Sequence, residues 1–163
     1  MPITKSKKKE IFDKVDAIIK DSQSLVFTNV HGLTVSESTQ MRKKLRASGV
    51  GFLVAKKTIT KKALEKAGIT GEMPTMLGEL GVAFSKDQIA PAREVYDFEK
   101  KFDKKLSIQG GVFEGRFMSK SEMTVIASIP PLIVLRGQFL NVINSPIQGL
   151  VIALDAIAKK KTA

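Results

Sequence analysis

Basic side chains concentrate in one stretch of this 163-residue chain, and their spacing suits the binding of a polyanion. Residues 41–67 contain nine lysines and arginines but one acidic residue, Glu65, so this stretch carries most of the chain's net charge of +11. Such a cluster is either an ordinary solvated surface or a site for nucleic acid or an anionic membrane. The candidate cations are Arg42, Lys43, Arg46, Lys56, Lys57, Lys61 and Lys62.

The first group of cations is predicted to lie in the last turns of a helix. Thr34 and Glu37 have the spacing of a capping box, in which each side chain bonds a free amide of the first turn, so the helix should begin at Thr34. Gly49 supplies the left-handed residue that commonly ends a helix, and basic side chains near that end complement the negative pole of the helix dipole. Helix stability alone can explain this group.

The second group of cations is harder to explain by stability. Residues 51–55 are predicted to form a short buried strand, and the helix that follows should be capped by Thr58 or Thr60 and closed by Gly68. Four lysines would then surround the helix N-terminus, where the dipole is already positive and acidic residues are preferred. A bound anion would remove this conflict, because the free amides and the ammonium groups would all point at it. The pattern therefore favours a phosphate-binding helix start.

Helices and strands alternate along the first 129 residues. The helices are predicted from apolar residues at helical spacing, and the strands from short runs of strand-forming residues. Turn residues separate the elements. This order predicts an α/β fold with a single sheet flanked by helices, followed by a C-terminal helical extension. The predicted helices lie at about 9–20, 34–48, 58–67, 87–102 and 119–129, and the predicted strands at 24–30, 51–55, 80–84 and 106–113, the last as a bulged strand or a tight pair.

The sequence lacks the usual catalytic and metal-binding patterns. It contains no cysteine and one histidine, His31, and it has no Walker loop, no dinucleotide-binding glycine motif and no nucleophile elbow. The glycine-rich run at 110–115 lies between strand formers and opens no helix, which indicates a hairpin or a bulge. We therefore predict that the protein is not an enzyme and holds no cofactor or metal. The basic N-terminus lacks the apolar core of a signal peptide, which favours a cytoplasmic location.

The composition changes at a double proline, which we take as the boundary between domains at residues 1–129 and 130–163. Beyond it apolar residues recur at three- and four-residue steps, and only Arg136 and Asp155 are charged before the terminal lysines. A helix this apolar must fold back on the core, enter a membrane or bind a partner. Polar residues interrupt the run and would need partners in hydrocarbon, so a membrane span is the weakest of the three alternatives.

Pro146 divides this terminal helix into two apolar segments. Proline removes a backbone donor and is expected to bend the helix, so each segment would present its own apolar stripe. Partner binding is the interpretation that we favour for both stripes. The candidate partner contacts are Leu135, Phe139, Leu140, Val142 and Ile143 in the first segment and Ile147, Leu150, Val151, Leu154 and Ile157 in the second.

Several short motifs, through their order and spacing, resemble the family of bacterial large-subunit ribosomal protein number ten, the stalk-base protein. The likeness covers essentially the whole chain. The motifs are VHGLTV at 30–35, MRKKLR at 41–46, VAKKTI at 54–59, GVAFS at 81–85, GGVFEG at 110–115 and SPIQGL at 145–150.

The resemblance implies a cytoplasmic, ribosome-bound protein whose α/β domain binds large-subunit ribosomal RNA at the GTPase-associated region. It also implies a terminal helix that holds dimers of the small acidic stalk protein, which recruit translational GTPases, and a neighbouring ribosomal protein at the stalk base. With two apolar segments we expect two dimers and no membrane contact. The alternative is a peripheral membrane protein with a basic lipid-binding patch and an amphipathic anchor. RNA binding would fall to Arg42, Lys43, Arg46, Lys56, Lys57, Thr58, Lys61 and Lys62.

Overall fold

The computed structural model describes residues 5–102 and 105–162 of the chain. The chain divides into two compact units, Met1–Ile129 and Pro130–Ala163. In the described residues, the first unit is built around a sheet and the second consists of one long helix.

Among the described residues of the first unit, five strands form a single antiparallel sheet. They are β1 (Ser24–Val30), β2 (Gly51–Val54), β3 (Leu80–Ser85), β4 (Leu106–Phe113) and β5 (Arg116–Ser119). Their order across the sheet is β2-β3-β1-β4-β5, so β1 lies at the centre and β2 and β5 form the edges. The predicted α/β class and single sheet are confirmed. Strand β5 was not predicted, because four residues are too few to show a periodic pattern and pairing with β4 decides their conformation.

In the part of the chain that the structure describes, five helices flank this sheet, and each lies where the sequence predicts one, within a few residues. They are α1 (Lys5–Asp21), α2 (Val35–Ala47), α3 (Lys57–Lys66), α4 (Ala90–Lys101) and α5 (Lys120–Ala127). Helix α1 extends to Lys5 rather than starting near residue 9, which lengthens its basic end by about one turn. The second unit contains α6 (Leu132–Thr162).

Two groups of buried side chains pack on opposite faces of the sheet. On β1, Val26 belongs to one group and its neighbours Leu25 and Phe27 belong to the other, because successive strand residues point to opposite faces. Helices α2, α4 and α5 therefore cover the first face, and α1 and α3 cover the second. The helix residues in the first group are Met41, Leu45, Ala90, Ala92, Val95, Phe98, Met123 and Ala127, and those in or against the second are Ile18, Ile19 and Leu64.

A bulge in β4 reverses the alternation of its side chains between the two faces of the sheet. Phe27 pairs with Gly110 and Thr28 with Ile108, which leaves Gln109 as an extra residue. Because of that residue, Ile108 packs in the first buried group although Val112, four positions along, packs in the second. Gly110 has a φ of +148°, and a β-carbon there would lie 2.7 Å from the Met118 carbonyl oxygen. The bulged-strand alternative of the sequence prediction is confirmed.

Strand β2 lies at an edge and is less buried than predicted. It spans Gly51–Val54 and pairs with β3 alone, so its other side has no strand partner in the described chain. None of its four residues is fully buried, and Val54 is 47% exposed. An apolar run does not distinguish a central strand from an edge strand, because the difference depends on which strands pair across the sheet.

The capping box at the start of α2 is confirmed and is joined by a distant lysine. The Glu37 carboxylate accepts hydrogen bonds from the Thr34 amide at 2.8 Å and from the Thr34 hydroxyl at 2.9 Å. Lys105 donates to its other oxygen at 2.7 Å. The Lys105 hydrogen bond, followed by those from Thr34, lowers the pKa of Glu37 to about 2. The carboxylate thus ties the start of α2 to the residue that precedes β4.

Replacing Glu37 with Gln is expected to lower the Tm at neutral pH and to have little effect in strong acid. Because the folded-state pKa of Glu37 is depressed, its contribution to stability is present above the ordinary value of 4.5 and is lost as the pH falls towards about 2. Thermal unfolding of both proteins between pH 7 and pH 2 checks this. A Tm difference that stays constant over that range would contradict the assigned role of the carboxylate charge.

The second unit is one helix that carries its apolar side chains on the surface. Helix α6 has 31 residues and continues through Pro146. Phe139 and Leu150 are 67% and 62% exposed, and the large apolar side chains that the structure describes on α6 are all exposed. By length and composition alone α6 is able to cross a membrane. Among the described residues of its own unit, none covers this surface.

Candidate nucleic-acid interface

Helix α3 begins without a side-chain cap. Lys56 occupies the cap position with an extended backbone, and no side chain accepts a hydrogen bond from the first-turn amides. The predicted caps are therefore wrong. Thr58 lies in the first turn, and Thr60 is buried inside the helix, where its hydroxyl donates to the Lys56 carbonyl oxygen at 3.4 Å. Because Thr60 packs against the core, it lies within the helix. The N-cap residue is therefore Lys56, two residues before Thr58.

This start places two lysines at the positive end of the α3 dipole. Lys56 is the cap residue and Lys57 the first helical residue, and the first turn contains no acidic side chain. Lys61 and Lys62 lie in the next turn rather than at the N-terminus, which corrects the predicted crowding of all four. The first amides of a helix have no intrahelical acceptor. The helix start therefore presents free donors and positive charge together, an arrangement that favours an anion.

The predicted cations have no acidic partners within residues 5–102 and 105–162. No ion pair in that part of the chain involves any of them, and all are exposed except Lys57, which is half-buried. Other lysines of the same helices behave differently. Lys44 lies 3.8 Å from Glu94 and over the Phe98 ring, and Lys66 lies 3.5 Å from Asp16. The set without partners is Arg42, Lys43, Arg46, Lys56, Lys57, Lys61 and Lys62.

The cations of α2 and those of α3 lie on opposite faces of the sheet. Helix α2 packs through Met41 in the first buried group, whereas α3 packs through Leu64 in the second. The edge strand β2 lies between them: Phe52 packs against the first group, and Leu53 lines a small space with α3 residues. The structure thus does not merge the two groups into one patch. It places α2 and α3 on either side of the same edge strand.

Helix α1 contributes basic residues that the sequence analysis did not assign to the site. Lys8, Lys9 and Phe12 line a cleft of about 380 Å³ together with the first residues of α3 and Lys62. In the sequence these residues belong to a run of basic residues near the N-terminus. Only the packing of α1 beside α3 shows that this run faces the predicted site, because the two segments are about fifty residues apart in sequence.

The apolar side chains predicted to bind a partner are all exposed on α6. Their exposed fractions range from 37% at Leu135 to 70% at Val142. Ile133, Val134 and Ile152 add exposed apolar surface beyond the predicted stripe. A contiguous apolar surface of this length is typical of an interaction site rather than of a solvated helix.

Comparison with known proteins identifies the family. The family described as ribosomal protein L10 matches residues 3–100, more than half of the chain. The chain belongs to the ribosomal protein L10 family. The large ribosomal subunit protein uL10 of Pelotomaculum thermopropionicum is 34% identical over 160 residues, which cover 98% of this chain and 91% of that relative. The resemblance seen in the short motifs is confirmed.

Membership of the L10 family decides the class of function. This L10-family chain is a structural protein of the large subunit of the cytoplasmic ribosome, and the prediction that it is not an enzyme is confirmed. In the described residues, no group of three or more acidic or histidine side chains is placed to hold a metal ion. The cations and the apolar helix are therefore to be explained by assembly with other molecules.

Proposed function

We propose that this L10-family protein forms the base of the large-subunit stalk. The first unit binds large-subunit ribosomal RNA at the GTPase-associated region, beside a neighbouring ribosomal protein. Helix α6 holds dimers of the small acidic stalk protein, and these recruit translational GTPases. Family membership supports the ribosomal setting. The division into a sheet-based unit and a helical unit suits two separate binding tasks.

The main support for the proposed RNA binding is the group of lysines and arginines on α2 and α3 that have no acidic partner in the described residues. Other lysines of the same helices have a carboxylate neighbour, as Lys66 does with Asp16. Cations that stay exposed and unpaired are free to neutralise phosphates, which is the main source of affinity for nucleic acid. The hydroxyl of Thr58 is also exposed beside the free amides of α3. The proposed contacts are Arg42, Lys43, Arg46, Lys56, Lys57, Thr58, Lys61 and Lys62.

The proposed binding of stalk-protein dimers depends on the exposed apolar surface of α6. Burial of about five large apolar side chains contributes on the order of 8 to 15 kcal/mol at roughly 1.5 to 3 each. Association and ordering costs reduce that amount. Each of the two segments divided by Pro146 therefore offers enough surface for one dimer, and we propose two dimers on the helix.

One observation favours a second candidate function, a peripheral membrane protein. Helix α6 is long and apolar enough to enter a bilayer, and Lys159, Lys160 and Lys161 follow its apolar part. Against this, Gln138, Asn141 and other amides interrupt the apolar surface. Flotation with phosphatidylserine vesicles, beside a gel shift with the ribosomal RNA fragment, separates the two candidates. Flotation without an RNA shift would contradict the proposed RNA binding by the first unit and would favour membrane attachment through α6.

Ending the chain at Ile129 is expected to leave a folded, more soluble domain. This domain should still bind ribosomal RNA but should no longer bind the small acidic stalk protein. The reason is that the sheet and both buried groups lie within the first unit. Affinity purification of full-length and truncated chains from the same cells tests the proposal. The full chain should retain ribosomal RNA and a small acidic protein, and the truncated chain RNA alone. Loss of cooperative unfolding in the truncated chain would instead mean that α6 belongs to the core.

A further inference from the structure

A cleft between α1 and the start of α3 combines positive charge with an aromatic wall. It is lined by Lys8, Lys9, Phe12, Lys56, Thr58, Ile59 and Lys62, and none of the described residues that line it is acidic. Its volume of about 380 Å³ lies within the range of small-ligand sites, roughly 300–1,000 Å³. The four lysines line a cleft rather than a flat surface, so their fields add at the same place.

The walls of the cleft suit two different parts of one ligand. Lys8, Lys9 and Lys62 are exposed ammonium groups suited to phosphate oxygens. Phe12 and Ile59 are half-buried and offer apolar surface. Lys66, which pairs with Asp16, also lies 5.5 Å from the centre of the Phe12 ring and helps to hold that ring in place. An inorganic anion would use the lysines but leave the aromatic wall without a partner.

A nucleotide has the required combination of phosphate and flat aromatic base. In a duplex the base is paired and stacked inside, and the protein meets mainly phosphates. Sequence-specific recognition of RNA instead uses loops and bulges whose unstacked bases lie on aromatic side chains. A basic cleft with one aromatic residue therefore fits an unpaired nucleotide better than a continuous helix.

We propose that this cleft receives one unpaired nucleotide of the RNA bound by the first unit. Its base packs on the Phe12 ring, and its flanking phosphates lie against Lys8, Lys9 and Lys62. This inference rests on the proposed RNA-binding function and extends the site from α2 and α3 to α1. The RNA region that binds must then present a loop or bulge at the α1 side of the protein.

The test measures binding of the full-length protein to a ribosomal RNA fragment from the GTPase-associated region at several salt concentrations. Phe12→Leu keeps apolar volume but removes the ring, and Phe12→Tyr keeps the ring. Lys8→Gln with Lys9→Gln removes two charges from exposed positions. The matched control is Lys101→Gln with Lys160→Gln, which removes two exposed charges that have no ion pair in the described chain and do not line the cleft. Thermal unfolding of each variant confirms that it is folded.

Phe12→Leu is expected to lose at least about fivefold in affinity with an unchanged salt slope, and Phe12→Tyr, which keeps the stacking ring, is expected to lose clearly less. Loss of Lys8 and Lys9 should lower the log–log salt slope by about 0.7 to 0.9 for each lysine, more than the control does. A 4-thiouridine substituted at an unpaired position of the RNA should crosslink to a peptide of α1.

Each failure has a distinct meaning. If the unsubstituted protein does not bind the RNA, the proposed function fails and this inference fails with it. If it binds but the Lys8 and Lys9 variant matches its control, the cleft proposal is overturned while RNA binding through α2 and α3 stands. Equal losses in Phe12→Leu and Phe12→Tyr would refute base packing on the ring, since the tyrosine keeps that surface.

Discussion

Alanine at Lys56 and Lys57 is expected to weaken binding to ribosomal RNA and to flatten its dependence on salt. For several phosphate contacts, the unsubstituted protein should lose roughly an order of magnitude or more in affinity between 50 and 200 mM salt. Each phosphate contact removed should lower the log–log slope by about 0.7 to 0.9. Filter binding at four or more salt concentrations measures both quantities.

This double substitution is not expected to unfold the protein. Lys56 and Lys57 lie at the positive end of the α3 dipole, have no ion pair in the described chain, and contribute no side-chain cap. Their removal relieves an unfavourable charge interaction, so the Tm should stay the same or rise slightly. Lys101→Ala with Lys160→Ala is the matched control for net charge, because both lysines are exposed and have no ion pair in the described chain. An unchanged slope and affinity in the Lys56 and Lys57 variant would exclude the α3 start as a phosphate site.

Aspartate at Leu150 and Leu154 is expected to remove one of two dimers of the acidic protein and to spare the other. Both side chains are more than half exposed on the second apolar segment of α6. In the complex they would be buried, and an unpaired carboxylate is costly in an apolar interface. The proline at position 146 lies between the segments and lacks the amide that would continue the hydrogen-bond ladder, so the first segment should keep its partner.

Native mass spectrometry of the co-expressed proteins counts the chains directly. The unsubstituted protein should form a five-chain complex and the double variant a three-chain complex. A matched control, Asn144→Asp with Gln148→Asp, adds the same two charges at polar, exposed positions of α6 and should leave five chains. Seven chains in the unsubstituted complex would disprove the two-segment count, and the absence of any complex would disprove partner binding by α6.

Features formed by residues close together in sequence could be predicted well. Both capping boxes are present: Ser119 and Glu122 repeat at α5 the arrangement of Thr34 and Glu37 at α2. Helical periodicity located α1 and α4, and the apolar pattern of the terminal segment located α6. These features depend on spacings of three or four residues, so the sequence contains all the partners that form them.

Features of the sheet depended on partners far along the chain. The edge position of β2 and the existence of β5 follow from strand pairing, which no local pattern encodes. Lys105 reaches Glu37 from 68 residues away and sets the pKa of that carboxyl group. Thr60 resembles a cap residue in the sequence, but its burial in the core places it inside α3 instead.

The candidate RNA-binding site also has features that the local sequence determines and features that only tertiary packing determines. The sequence alone identified which side chains are basic and which helices carry them, because charge and helical spacing are local properties. The tertiary structure decided how they are grouped. Alternation along β1 sends α2 and α3 to opposite faces of the sheet, and packing on the second face brings Lys8 and Lys9 of α1 beside Lys62 of α3. Those neighbours are set by the burial of apolar faces on the sheet, which acts across the whole unit rather than within one helix.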